Sequence, residues 1–184
     1  MGVAALILAA GVGRRFGGPK YAAQLGGRTF LERVADTARA AGLSPVLAVV
    51  PPNASVPAGV TAVANPEPWR GISRSLQIGI LRVPEDADAV LVLLVDQPTM
   101  PVAHLAAVLA ARGPRPLVAA EANGRLGPPV LVERGQLSLV NELSGDTGLR
   151  AVLARHPELV QRVRVPAHPP DVDRPEDLVA LEPG

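Results

Sequence analysis

The sequence contains no cysteine, four aromatic residues (Phe16, Tyr21, Phe30 and Trp69) and a single lysine, Lys20, among eighteen basic side chains. Each shortage excludes something. Without thiols there are no disulfides and no thiolate metal sites, and cysteine gives no reading of the redox compartment. With aromatics at 2%, the core has to be assembled from Ala, Val, Leu and Ile, which the 48% hydrophobic content supplies. An excess of one charge is missing as well. Eighteen basic and seventeen acidic residues leave a formal net charge of +1, whereas gripping a nucleic-acid backbone needs a clear basic excess. His104, His156 and His168 are scattered without ligand spacing, which argues against a zinc hydrolase. Long hydrophobic runs are absent too: Val3 to Ala10 is too short to cross a bilayer and has no basic flank before it, so neither a membrane partner nor a secretory leader is expected. Met1-Gly2 opens like a myristoylation site, but Leu6 stands where Ser or Thr is required. At 184 residues the chain has the length of one compact domain. The expectation is a cytoplasmic, single-domain protein over residues 1–184.

What is present reads as alternating strands and helices. Val3 to Ala9 is a continuous aliphatic run ending in a glycine-rich stretch, the pattern of a buried strand and its loop. Phe30, Leu31, Val34, Ala35 and Ala38 recur at helical spacing, with Thr29 as cap and Gly42 as stop. Strands are expected over 45–50, 60–64, 89–95, 116–120, 129–132 and 163–165. Helices are expected from Ile72 to Ile80, from Pro101 onward, from near Asp146 through Leu153, and over 175–181. The alternation predicts an α/β protein: a three-layer sandwich around a mostly parallel, Rossmann-like mixed sheet.

In such a sheet, ligands gather where loops leave the carboxyl ends of strands. The first such loop, residues 8–20, holds Gly11, Gly13, Gly17 and Gly18 with Arg14, Arg15 and the lone Lys20. Glycines let backbone N–H groups approach an anion, and the cations add charge, so the loop reads as a phosphate cradle rather than an idle surface turn. It is not a Walker loop, because Pro19 and Tyr21 flank the lysine where Gly and Ser or Thr belong. Nor is it the dinucleotide fingerprint: Phe16 occupies the third glycine position, and Pro51-Pro52 follow the second strand where an acidic residue would hold a ribose. A Rossmann oxidoreductase is therefore disfavoured.

The ordered motifs resemble those of the MobA-like nucleotidyltransferases, which share the nucleotide-diphospho-sugar transferase fold, and within them the molybdenum cofactor cytidylyltransferases. Leu8, Ala9, Ala10, Gly11, Arg15, Gly17 and Lys20 match the opening motif. Asn65-Pro66 and Trp69 to Leu76 are similar to the nucleotide-side loop, and Asp96-Gln97-Pro98 to the family's Asp-Gln-Pro. Gly127-Pro128-Pro129, Ser144-Gly145-Asp146 with Gly148 and Arg150, and Asp171 to Leu178 complete the series. Two departures, Pro128 in place of His and Arg174 in place of Thr, lie on the acceptor side or near the second metal position. The resemblance implies Mg²⁺-dependent transfer of CMP from CTP to molybdopterin or its molybdenum-bound form, with GTP or another small phosphorylated acceptor still open and a molybdoenzyme apo-protein as a further partner. It implies Lys20 and Arg15 as catalytic groups. Leu8, Ala9, Ala10, Gly11, Gly13, Arg14, Asn65, Gly71, Ser73 and Ser75 join Lys20 around the nucleotide. Gln97, Pro98, Gly127, Pro129, Gly145 and Asp146 fall around the acceptor.

Elementary chemistry leaves some roles two-sided at this point. Nucleotidyl transfer needs alignment and charge neutralisation more than a strong base, since the attacking phosphate is already ionised. Asp96 ends a buried strand, where a carboxylate is costly unless it is bound to a cation or capping a helix. Asp173, its partner as metal ligand by resemblance, equally suits a cap for the helix at Pro175, and Asp171 is a weaker candidate. Ser73, Ser75 and Asp146 each fit a ligand contact or a helix cap. Trp69 shields the site or packs on the core, and Arg14 serves the triphosphate or simply solvent. His104 and His156 read as helix-surface residues without a role.

Overall fold

The computed structural model describes residues 2–11 and 13–181; Met1, and with it the start of the myristoylation-like pattern, lies outside them. Seven strands form one mixed sheet in the order β5-β4-β1-β6-β8-β7-β9. They are β1 (Gly2–Leu8), β4 (Val46–Val50), β5 (Val60–Ala64), β6 (Ala87–Leu94), β7 (Leu117–Ala122), β8 (Arg125–Glu133) and β9 (Val160–Arg164). β5, β4, β1 and β6 pair in parallel, β8 runs antiparallel to both β6 and β7, and β9 is parallel to β7. Two short strands, β2 (Gln24–Leu25) and β3 (Arg28–Thr29), form a separate hairpin.

The aliphatic runs are continuous because the sheet is covered on both faces. Along β1 and the residues after it, Ala5, Ile7 and Ala9 join one core cluster, and Ala4, Leu6, Leu8 and Ala10 join the other. The first cluster packs under α1 (Phe30–Ala40) and α3 (Val102–Ala110), with Leu178 of α5 (Pro175–Val179) at its edge. The second packs under α2 (Ile72–Ile80), α4 (Leu149–Arg155) and a 3₁₀ stretch over Arg134–Glu142. These are the three layers expected of the α/β sandwich.

Thr29 caps α1 in a capping box: its Oγ1 accepts from the Glu32 N–H at 3.1 Å, and its own N–H donates to the Glu32 carboxylate at 2.6 Å. Other boundaries move. The helix expected near Asp146 begins at Leu149 with Gly148 as N-cap, so Asp146 caps nothing. The strand expected at 163–165 spans Val160–Arg164, paired to β7 at the sheet edge, where alternation leaves exposed Arg residues among the valines. His104 is 8% exposed, not on the surface, because the first turn of α3 turns it toward the sheet layer. Burial holds its imidazole below the ordinary histidine range, and nearby His168 adds to the effect.

Candidate active site

The loops leaving the carboxyl ends of β1 and β6 enclose a cleft of about 540 Å³, at the position such sheets favour for ligands. One wall is the loop after β1. There Gly13 adopts φ +57° and a Cβ would stand 1.9 Å from the Gly18 carbonyl oxygen, so the loop folds onto itself only with glycine at this point. The N–H groups of Phe16 and Gly17 donate back to the Gly13 carbonyl at 3.0 and 2.9 Å. Phe16, the residue that breaks the dinucleotide fingerprint, packs on the core with its ring 6.0 Å from that of Phe30. It pins the loop, while Arg14 and Arg15 stay exposed on the cleft lining.

The floor is a charged triad drawn from three distant segments. Lys20 Nζ lies 2.6 Å from Asp173 Oδ1 and 3.4 Å from Asp96 Oδ2. The segment carrying Asp173 docks on the end of β6 through three successive residues. Asp171 Oδ1 accepts from Gln97 Nε2 at 2.8 Å, the Val172 N–H donates to the Asp96 carbonyl at 2.8 Å, and Asp173 meets Lys20. Val172 is fully buried, which locks this register. Asp173 does not cap α5; the Asp177 carboxylate accepts from the N–H groups of residues 173 and 174 instead, which hold it below the ordinary carboxylate range. Nor does Asp96 cap α3, whose N-cap is Pro101.

Burial pushes the Asp96 carboxyl above its ordinary range; Lys20 opposes the shift, and Asp171 and Asp173 add to it. Its Oδ1 is buried and accepts no hydrogen bond from any described residue. Asp96, through Oδ2, and Asp173 face one ammonium while Asp96 Oδ1 is left without a partner, and two such carboxylates could hold a hard divalent cation. Among the described residues no three His, Asp or Glu side chains gather closely enough to hold an ion. Asp96 and Asp173 are thus the two side chains that could hold such an ion, with phosphate oxygens and water taking its remaining positions.

The opposite wall is the loop before α2. Gly71 has φ +87°, and a Cβ there would stand 2.3 Å from both the carbonyl carbon and oxygen of Gly145. The two loops are stitched by the Ser73 N–H donating to the Gly145 carbonyl at 3.2 Å. Gly71→Ala should therefore lower stability by about 1–3 kcal/mol and part the loops, which urea denaturation would read. Asn65 is fully buried: its Nδ2 donates to Ser75 Oγ at 3.0 Å and its Oδ1 accepts from the Glu67 N–H at 2.9 Å. It braces the loop. Trp69 is 70% exposed and lines the cleft, so it does not pack on the core.

Of the residues singled out from the sequence, Leu8, Ala10, Gly11, Gly13, Arg14, Arg15, Lys20, Gly71, Ser75, Asp96, Asp146 and Asp173 line this one cleft. Ala9, Asn65 and Ser73 stand behind its walls. On the acceptor side, Pro98 receives Arg33 Nε on its carbonyl at 3.1 Å, Gln97 holds Asp171, and Gly145 abuts Gly71. Gly127 and Pro129 lie on β8, whose Pro128 and Val130 line an adjoining cavity with Asp146 and Asp171. Sequence reasoning assigned no role to Arg150, which lines that second cavity; its place four residues after Asp146 in the same motif was the available signal.

Residues 5–160 match the MobA-like NTP transferase domain. The nicotine blue oxidoreductase of Paenarthrobacter nicotinovorans is 33% identical over 178 residues, covering 88% of this chain and 86% of that protein. Among solved structures, a homologue of Mycobacterium tuberculosis Rv0371c from Mycobacterium sp. strain JC1 superposes with a TM-score of 0.84 at 28% identity, covering 98% of each chain. The manganese complex of Rv0371c from M. tuberculosis H37Rv shares the fold with a TM-score of 0.82 at 24% identity, again over 98% of each chain. A basic glycine loop, a paired-carboxylate floor and this sheet order thus coincide with a match over most of the chain: the protein belongs to the MobA-like NTP transferase domain family.

Proposed function

We propose that residues 1–184 form one cytoplasmic nucleotidyltransferase domain that moves CMP from CTP onto molybdopterin, or its molybdenum-bound form, and releases pyrophosphate. The observation that carries this reading is the Lys20 ammonium set between Asp96 and Asp173, directly below the glycine–arginine loop. An oxygen of the acceptor phosphate attacks the α-phosphorus. A new P–O bond forms as the bond to the α,β-bridging oxygen breaks, and its electron pair leaves on pyrophosphate. The attacking oxygen carries its charge already, so no side chain has to take a proton. The loop N–H groups and Arg14 hold the outer phosphates, while Arg15 and Lys20 offset the negative charge that grows on the leaving group. Asp96 and Asp173 would hold Mg²⁺, which when bound supplies further charge neutralisation on the triphosphate. The manganese complex of the Rv0371c protein supports a divalent ion in this fold.

Incubation with each of the four nucleoside triphosphates, Mg²⁺ and molybdopterin tests the reading. Pyrophosphate should appear only when the acceptor is present, and fastest with CTP. Preference for GTP, or for a sugar phosphate, would change the substrate within the same chemistry. Pterin binding without pyrophosphate from any nucleotide would overturn transfer in favour of a non-catalytic escort that delivers the pterin to a molybdoenzyme apo-protein. The relative named as an oxidoreductase favours a second reading, reduction of an organic substrate in the same cleft. Binding and oxidation of NADH or NADPH would support it, and absence of NAD(P)H binding would close it.

A further inference from the structure

Two carboxylates compete for one position. Asp171 and Asp173 stand on either side of the buried Val172, and both lie close enough to Asp96 to push its carboxyl upward. Only Asp173 closes on the Lys20 ammonium, at 2.6 Å. What separates the two is Gln97. Its Nε2 donates to Asp171 Oδ1 at 2.8 Å, which commits that carboxylate to an amide.

Gln97 acts within the fold and not on a ligand. It is 2% exposed and lines neither the nucleotide cleft nor the adjoining cavity, whereas the resemblance sets it around the acceptor. An ionised carboxylate only accepts, so the amide presents its NH₂ to Asp171, and this leaves Oε1 buried without a partner. An unmet buried oxygen costs stability, and an apolar side chain of this size would fill the space without it. The glutamine therefore serves through its donor.

The base of that donor is rigid. The Gln97 N–H donates to the Leu94 carbonyl at 3.3 Å, and its carbonyl accepts from the Met100 N–H at 3.1 Å, a tight turn at the end of β6. Arg33 of α1 braces the turn, with Nε on the Pro98 carbonyl at 3.1 Å and Nη1 on the Leu25 carbonyl of β2 at 3.4 Å. One residue beyond Asp171, the Val172 N–H donates to the Asp96 carbonyl at 2.8 Å. A grip on Asp171 thus fixes the reach of Asp173, two positions along.

We propose that Gln97 is a positioning residue: by holding Asp171 it reserves Asp173 for Lys20 and for the cation beside Asp96. A hydrogen-bond partner of this kind sets ligand geometry without touching the ion. The inference rests on the assignment of Asp96 and Asp173 as metal ligands, made above for the transfer reaction, and its test separates the two.

The single lysine gives the first probe. Lysine labelled with ¹³C at Cε places one resonance in the spectrum of the full chain, which reports the pairing of Lys20 without metal or turnover. Gln97→Met should move it in the direction that Asp173→Asn moves it. Asp171→Leu should do the same. Asp171→Asn, whose amide oxygen still accepts from Gln97, should leave it near the wild-type position. Affinity for Mn²⁺ alone, read from the electron paramagnetic resonance of the free ion, should follow the same order. Gln97→Met and Asp171→Leu should each weaken it at least about tenfold, the double variant no further, and Asp171→Asn less than about threefold. Asp171→Asn and Asp171→Leu both lack the charge, so the gap between them reports the hydrogen bond. A Lys20 resonance unmoved by Gln97→Met, additive losses in the double variant, or equal losses in the two Asp171 variants would overturn the assignment. Equal losses would make Asp171 a ligand itself. If the wild type fails to bind Mn²⁺, or Asp173→Asn binds it as tightly, the metal assignment falls and the lysine resonance alone decides the role of Gln97.

Discussion

Lys20→Ala is expected to lower kcat for pyrophosphate release by roughly 100- to 1,000-fold, the loss that follows removal of one preorganised electrostatic group from a transfer site. The lysine is not an exposed cation whose loss the solvent would make good. Its side chain is 14% exposed and held by Asp173 at 2.6 Å and Asp96 at 3.4 Å, which fixes the ammonium on the cleft floor. Lys20→Arg should rescue little, because a planar fork cannot replace a compact ammonium between two carboxylates. Steady-state rates with saturating nucleotide and acceptor measure the effect, and full activity in Lys20→Ala would refute the assigned role.

Asp96→Asn should separate activity from stability. Activity should fall by a comparable factor, since the residue would supply one of two carboxylates to the cation. Stability at neutral pH should rise. Burial holds the Asp96 carboxyl above its ordinary value, so the fold disfavours its charged form. For an acid whose folded value is raised, stability increases as pH falls through the folded value and levels off below the unfolded one. The asparagine variant lacks that charge throughout, so its thermal midpoint should exceed the wild type's at pH 7 and the two should converge on acidification. A midpoint that falls at pH 7 would show that Asp96 serves the fold through Lys20. Lys20 retains its shorter contact, to Asp173, in either case.

Local pattern was enough for much of the fold. β5 and α2 occupy the spans that β-branched runs and helical spacing mark out, and Thr29 caps α1 as its position before Phe30 implies. Elements with weak local patterning were not legible. The Gln24–Thr29 hairpin has only two residues per strand, and the 3₁₀ stretch at Arg134–Glu142 is polar along much of its length. The cleft was legible as a set of segments but not as contacts. Lys20, Asp96 and Asp173 are separated by 76 and 153 positions from the lysine, and only the docking of Val172 on Asp96 brings the last of them home. Ambiguities of capping were settled by neighbours: Asp177 reaches back to the N–H groups of residues 173 and 174, which leaves the Asp173 carboxylate to Lys20, and Gly148 displaces Asp146 as cap.

The most direct test of the nucleotide cleft is a crystal structure with a non-hydrolysable CTP analogue and Mg²⁺. The triphosphate should run along the loop from Gly11 to Lys20, with one cation on Asp96 and Asp173 and the Lys20 ammonium turned from the carboxylates to a phosphate. Nucleotide density elsewhere on the molecule, or a filled cleft in which Lys20 stays paired to both carboxylates with no cation beside them, would contradict the account.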